Sequence, residues 1–554
     1  MGSTVPVTAL RKSSAAALLL LAGGPTLAVA LLALATLLDG AAWVALWQEP
    51  ALPGALALSL WTGLVSTLLA WWGAARLLAT AFVQRSMQRL LRCLPWMLAT
   101  PHAAFAIGLV FLLSPSGWVL RAMSPWLTGF DFPPPWTTTQ DPWGLGLILA
   151  LVAKEVPFLL WAAATQLQRD DLRQRWRGEL ALAQTLGYAP QRAWWRVIWP
   201  QLAPRLRWPL LAVLAYGLTV VDMALVIGPA SPPTLAVLAW QWLQDADLSV
   251  NARGAAAGGL LAGVLLLAAV ALWGWGFLSS GKARTDGQRG THRPERSTTG
   301  IRAEWGLWLI ASLYLGVLAA LAVGSVSGLW PFPLLWPDVL SFQAWGSVWA
   351  SRHTVGITLM LATVSALLAL AWSVAWLEWS PPHWDRALRP WLYLSLVLPG
   401  ILWVVGLYRV ALWAEVEGQW TGMLASHTAM ALPYVLLTLS PAYLGVDPRL
   451  ASVSASLGHG PLAFLWRIKW PLLRRSLAAS AAVGFAVSVA QYLPTLYVGA
   501  GRFSTVTTEA VTLASGAQRS LTSAYAALQF LLPVLAFALA AWVGRPRRFT
   551  VGTP

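Results

Sequence analysis

The chain has a single cysteine, Cys93, in 554 residues. One thiol excludes an intrachain disulfide and any metal or cluster site built on several cysteines. Charge is also scarce: Asp, Glu, Lys and Arg make up 10% of the sequence, against about 25% in a soluble domain. His102 and His427 lie in apolar surroundings, each without a helical partner at a ligand spacing, so a haem or metal centre is not expected. No clustered catalytic constellation is present, which argues against an integral transferase. The shortage of charge excludes a soluble enzyme.

What is abundant is apolar sequence. Hydrophobic residues account for 58% of the chain and the mean hydropathy is +0.63. Apolar runs of about 20 residues, enough to cross ~30 Å of hydrocarbon, recur from end to end. Twelve spans are expected, near 16–38, 54–80, 93–113, 143–165, 208–228, 255–278, 305–327, 354–377, 391–411, 421–443, 476–499 and 522–543. The fold class is an all-α membrane protein. The first span follows Arg11 and Lys12 but is too long for an ordinary signal-peptide core, so it is expected to remain as a membrane helix. The 37 tryptophans concentrate near span ends, where an amphipathic ring suits the headgroup layer.

The net charge of +16 sits in short loops, without a basic face interleaved with stacking aromatics, so no nucleic-acid partner is expected. Arg85, Arg89 and Arg92, the loop from Arg169 to Arg207, Arg386 and Arg389, the stretch from Arg449 to Arg475, and Arg545, Arg547 and Arg548 fall on one side. The opposite loops hold Arg121, Arg253, Arg352, Arg502 and Arg519 beside acids such as Asp39, Glu49, Asp245, Asp247, Glu415 and Glu417. The basic side is read as cytoplasmic, with both termini on the cytoplasmic side of a bacterial inner membrane.

Residues 280–304 are polar and rich in Gly and Arg, and read as a cytoplasmic linker between two six-span repeats, 1–279 and 305–554. Leu186-Gly187 followed by Trp195-Arg196-Val197-Ile198-Trp199-Pro200 recurs as Leu457-Gly458 followed by Trp466-Arg467-Ile468-Lys469-Trp470-Pro471, an offset of 271 residues from Gly187 to Gly458. Pro101 and Gly108 echo Pro399 and Gly406; Pro157 echoes Pro433; Gly228 and Thr234 echo Gly499 and Thr505. Six spans per repeat makes the repeats parallel. The four prolines are expected to kink their helices.

Within the basic loops, 179–205 and 450–475, a helical pattern, a glycine and a second amphipathic stretch ending at proline describe a helical elbow. Ala193, Trp194 and Val197, with Leu465, Trp466 and Ile468, are expected to dock into a partner's groove. These loops resemble the EAA loops of permease subunits in binding-protein-dependent ABC importers, whose pattern is Glu-Ala-Ala, three residues, Gly, nine residues, Ile-x-Leu-Pro. Gly187 with Val197-Ile198-Trp199-Pro200, and Gly458 with Ile468-Lys469-Trp470-Pro471, keep the spacing, with Val197 at the Ile position of the first; Ala181 and Ser452 replace the glutamate and Trp replaces the Leu before each Pro. The chain looks most like the fused permeases of ferric-iron and thiamine importers.

The resemblance implies a solute pathway without a catalytic site, driven by two copies of a cytoplasmic ABC ATPase and supplied by a periplasmic solute-binding protein. Gly187, Trp195, Arg196, Ile198 and Pro200, with Gly458, Trp466, Arg467, Ile468 and Pro471, would carry the ATPase coupling. Thiamine-like compounds or ferric iron are the solutes it suggests. No cofactor is expected in this chain, ATP and Mg²⁺ being bound by the partner. Gly276, Gly281 and Lys282 nearly form a phosphate loop, but Ala283 replaces its Ser or Thr and the segment follows a membrane helix rather than a strand. An ion-coupled secondary transporter with two parallel halves is the alternative, though it leaves the paired elbows unexplained.

Ionisable and polar groups within spans are candidates for the translocation path: Lys154, Glu155 and Asp222 in the first repeat, and Ser488, Gln491 and Tyr492 in the second. The competing reading is that the charges pair structurally and the neutral groups bond neighbouring helices.

Overall fold

A computed structural model describes residues 5–83, 87–167, 170–288, 303–393, 396, 398–516 and 518–545. Arg85, Arg169, Arg547, Arg548 and linker residues 289–302 lie outside them. Among the described residues, ten helices are long and apolar enough to span a membrane. The two other expected spans are present in altered form: Gly400–Trp413 is a shorter apolar helix, and the span near 208–228 is broken into Arg207–Thr219 and Asp222–Ile227. The molecule is an all-α membrane protein.

Several boundaries differ from the sequence reading. Proline has no N–H and crowds the preceding turn, and at Pro101 and Pro399 the chain turns extended instead of kinking, with ψ of 148° and 128°. The third and ninth spans therefore begin at His102 and Gly400. The amphipathic helices Met87–Ala99 and Pro382–Leu392 precede them as separate elements. Pro157 and Pro433 lie inside Leu145–Leu167 and Trp420–Leu444. The sixth span extends as one helix, Leu248–Gln288, so the expected linker is helical over its first nine residues, 280–288, and the phosphate-loop lookalike at 276–282 is helix.

The 271-residue offset governs backbone geometry. Leu235–Leu243 and Val506–Ala514 start at matching positions, as do Leu248–Gln288 and Arg519–Val543. The broken span recurs too: Trp470–Ala490 and Leu493–Val498 flank Gln491-Tyr492 as Thr219 and Asp222 flank Val220-Val221. The φ/ψ pairs at the breaks agree closely, −64°/130° then −110°/−52° in one half and −69°/120° then −103°/−63° in the other.

Each half lends its first helix to the other. Val5–Ala35 packs on Gly400–Trp413, and Ala303–Ser325 packs on His102–Leu113. These crossings use the echoed glycines: Gly108 faces Val317, and Gly406 faces the backbone of Val29. Removing the β-carbon lets the helices approach within backbone contact. One apolar core consequently runs through both halves, joining Phe105, Tyr314 and Val317 to Ile401, Val405 and Tyr525.

Candidate functional site

The two elbows are built by the same local rules. Asp170–Thr185 and Arg449–Ser456 each end in a glycine with left-handed backbone, Gly187 at φ +84° and Gly458 at φ +81°. In the first, Gly187 N donates to the Gln184 carbonyl at 3.0 Å and Tyr188 N reaches back to that of Ala183 at 3.1 Å. In the second, Gly458 N and His459 N donate to Ala455 and Ser454, both at 3.0 Å. This is a Schellman cap, which satisfies the last carbonyls and turns the chain sharply.

A second helix then starts with proline at its first position, Pro190 or Pro461, where the missing N–H costs no bond. It widens into a π turn at Trp194–Ile198 and at Leu465–Lys469. Here Trp199 N donates to Trp194 and Trp470 N to Leu465, five residues back. The wider turn accommodates Pro200 and Pro471 without stopping the helix. Contrary to the sequence reading, the second elbow runs straight on into the membrane helix as Pro461–Ala490.

Burial corrects the expected docking face. Ala193, Trp194 and Ile198 are fully buried in their own half's core, Trp194 against Phe82 with ring centroids 4.8 Å apart. Leu465 is buried as well. Val197, Trp195 and Ile468 are half-buried, while Arg196, Pro200, Trp466, Arg467 and Pro471 are exposed. The exposed large apolar residues that the two elbows share lie one helix earlier, Leu182 and Leu186 in the first and Val453 and Leu457 at the same offset in the second; the second elbow also exposes Leu462 and the expected Trp466. Spaced four apart, each pair shares a helix face. The sequence reading missed them because it placed the docking face only in the amphipathic stretch after the glycine.

Different contacts brace the two elbows. Gln201 Nε2 donates to Glu179 at 2.6 Å, Gln201 Oε1 accepts from the Trp176 indole at 3.0 Å, and Arg175 pairs with Glu179 at 2.9 Å. Burial raises the Glu179 pKa, but the bonds from Gln201 and Arg175 outweigh it and hold the carboxyl below its ordinary value. The second elbow is pinned to Arg352–Trp379 by Lys469, which pairs with Glu378 at 2.6 Å and stacks over Tyr443 at 4.0 Å.

Inside the spans, the expected path residues separate. Lys154 is buried and turns away: Nζ donates to the carbonyls of Met97 at 3.1 Å and Thr100 at 2.6 Å. Met97 would normally receive an N–H from residue 101, but Pro101 has none, so the ammonium fills that vacancy at a helix C-terminus. Ser488 also faces packing, at 2.8 Å from His427 Nδ1, while Thr495 lies 2.9 Å from Nε2. Both ring nitrogens of His427 are thus engaged by hydroxyls. His102 packs on Tyr216 with ring centroids 4.6 Å apart.

Glu155 and Asp222 remain. Asp222 and Glu155 lie within electrostatic reach of Tyr216, and Glu155 also of Tyr314 and Tyr434. Asp222 is similarly close to Tyr492. Tyr434 keeps 40% of its surface accessible. Gln491 is half-buried at the neighbouring break. Two carboxyls from one half thus lie near tyrosines from both; Tyr216 carries no charge or motif that would mark it in sequence, and Tyr434 is marked only as the residue after the echoed Pro433.

No protein-family model matches the chain. It is 35% identical over 535 residues to the inner membrane ABC transporter permease protein YnjC of Escherichia coli, covering 95% of each chain. It is 28% identical over 215 residues to the thiamine transport system permease protein ThiP of Salmonella typhimurium, covering 35% of this chain and 39% of that one. The molybdenum transport system permease protein ModB of Mycobacterium tuberculosis matches at 28% over 129 residues, 21% of this chain and 49% of its own.

Proposed function

The chain belongs to the permease proteins of ABC transporters, and we propose that it supplies two halves of a solute pathway whose elbows receive force from two separate ATPase subunits. In this reading residues 1–279 and 305–554 are the permease repeats, joined by the 280–304 linker, with elbows and both termini in the cytoplasm. ATP and Mg²⁺ bind the partner ATPases, and a periplasmic binding protein delivers solute. The observation that carries the reading is the repetition of one mechanical unit: a Schellman-capped glycine, an exposed apolar pair before it, and a π turn after it leading toward a membrane helix. A rigid helix continuous with a span can transmit displacement without chemistry of its own.

The acids Glu155 and Asp222, set among Tyr216, Tyr434 and Tyr492, support a thiamine-like organic cation as solute, since carboxylates and ring faces both attract positive charge. In this reading Gln491 adds a neutral hydrogen bond to solute, while Lys154 and Ser488 hold neighbouring helices. Reconstitution with the ATPase and binding protein in proteoliposomes tests the proposal: uptake must require ATP and the partner's phosphate-loop lysine, and organic cations must compete. ATP-independent uptake driven by an ion gradient would overturn it.

A further inference from the structure

The break at Gln491-Tyr492 is held by buried side-chain hydrogen bonds. His427 Nδ1 lies 2.8 Å from Ser488 Oγ, before the break, and Nε2 lies 2.9 Å from Thr495 Oγ1, beyond it. The Thr495 hydroxyl in turn donates to the Gln491 carbonyl at 3.0 Å. Its one proton is spent there, so Nε2–H donates to Thr495, and Nδ1 of the neutral ring accepts from Ser488. A second chain runs from Gln529 Nε2 to Thr507 Oγ1 at 2.8 Å, and from the Thr507 hydroxyl to the Val489 carbonyl. His427, Ser488, Thr495, Thr507 and Gln529 are all buried.

The first half builds the same break from other residues. At the 271-residue offset, Ser488, Thr495, Thr507 and Gln529 correspond to Gly217, Ala224, Ala236 and Gly258, none of which has a polar side chain. Leu151 stands six residues before Pro157, as His427 stands before Pro433. The backbone angles at the two breaks nonetheless agree closely. The network is therefore not what interrupts the helix.

What the network adds is restraint. Buried polar groups that are fully paired rigidify their surroundings, because any displacement leaves a donor or acceptor unsatisfied away from water. Here they tie both pieces of the broken span, Trp470–Ala490 and Leu493–Val498, to the Trp420–Leu444 helix that carries His427. The last link is the backbone of Gln491 itself.

We propose that His427 is a positioning residue for solute passage, which holds the Gln491-Tyr492 break through Ser488 and Thr495 as the fixed, neutral wall of the pathway. The inference rests on the reading of Gln491 as a path residue. The opposite break, which carries Asp222, lacks these ties and is the wall that adjusts.

The test uses the full chain with its ATPase in nanodiscs, in a Cys93→Ser background carrying Q491C, and a trimethylammonium methanethiosulfonate as the probe. Q491C should be modified, at a rate that T495V and S488A each change about fivefold or more and that T495S leaves near the parent value. Hydrogen exchange in T495V should accelerate across residues 486–496 but not across 215–225, whereas general loosening of the fold would move both breaks. The hydroxyl variants keep the imidazole in place and avoid the cavity that His427→Ala would leave; if T495V does not fold, S488A decides alone. A Q491C that resists the probe with and without ATP overturns the path reading on which the inference rests. A Q491C modified at one rate in all variants, or exchange rising equally at both breaks, overturns the positioning role alone.

Discussion

Gly108 and Val317 meet so closely that a β-carbon on the glycine would lie 2.6 Å from Val317 Cγ1 and 2.8 Å from the Val317 carbonyl oxygen. The contact joins the third span of one half to the first span of the other, and Gly406 against Val29 repeats it in the opposite sense. Gly108→Val should therefore push the halves apart at their crossing, costing on the order of 1–3 kcal/mol as overpacking. Thermal unfolding of the purified complex checks this. Gly108→Ala should be milder than Val, and an unshifted Gly108→Val variant would show that the helices do not approach as described.

Gly187 and Gly458 have open space around the position of a β-carbon, so their requirement is conformational rather than steric. Substituting valine asks a branched residue to adopt positive φ, at a cost of roughly 1–2 kcal/mol. The expected result is normal membrane insertion with weakened ATPase association, measured by co-purification. Asn, which tolerates this conformation, should preserve more association than Val.

Leu182→Glu with Leu186→Glu, or Val453→Glu with Leu457→Glu, should lower ATPase affinity about tenfold or more by placing charge in an apolar contact, while leaving the buried core untouched. Trp194→Ala, by contrast, removes a core side chain and should destabilise the protein by about 3–5 kcal/mol. Titration of purified ATPase onto nanodisc-embedded permease separates these outcomes; Trp194→Ala losing affinity without losing stability would return the docking face to the π turn.

Lys154→Met should destabilise the fold, leaving two buried carbonyls unsatisfied at about 1–3 kcal/mol each, with solute-stimulated ATP turnover in the surviving protein little changed. Glu155→Gln and Asp222→Asn should do the reverse, keeping the complex intact while reducing that stimulation by about tenfold or more. If all three variants behave alike, the carboxyls are structural too.

The Glu179 carboxyl, held below 4.5 in the folded chain, gives the first elbow a pH dependence. Because the folded pKa is the lower one, its stabilisation is complete above the unfolded value and disappears as pH falls through the folded value. Hydrogen exchange across residues 170–186 should therefore accelerate below about pH 4.5 in wild type and be insensitive there in Glu179→Gln.

How much of this was readable in the sequence varied with the range of the interaction. The elbow turns were legible because a glycine and a proline at fixed spacing impose local backbone geometry, and the repeat exposed them twice. The membrane class followed from apolar run length alone. The exchange of first helices was not legible: Val29 and Val317 carry no mark of the glycine they meet. The contacts of Lys154 were not legible because its partners are the Met97 and Thr100 carbonyls beside Pro101, a dependence between residues 53 apart in sequence. The breaks at Val220-Val221 and Gln491-Tyr492 lie in apolar sequence that also suits unbroken helix, so only tertiary packing distinguishes them.

The most direct test is cysteine cross-linking from both elbows in one sample. In the Cys93→Ser background, L182C and V453C should each form a bond to a different copy of the same ATPase dimer, and ATP should shift both yields together. Labelling that places the two positions on opposite sides of the membrane, or ATPase cross-links from one elbow only, would contradict the account.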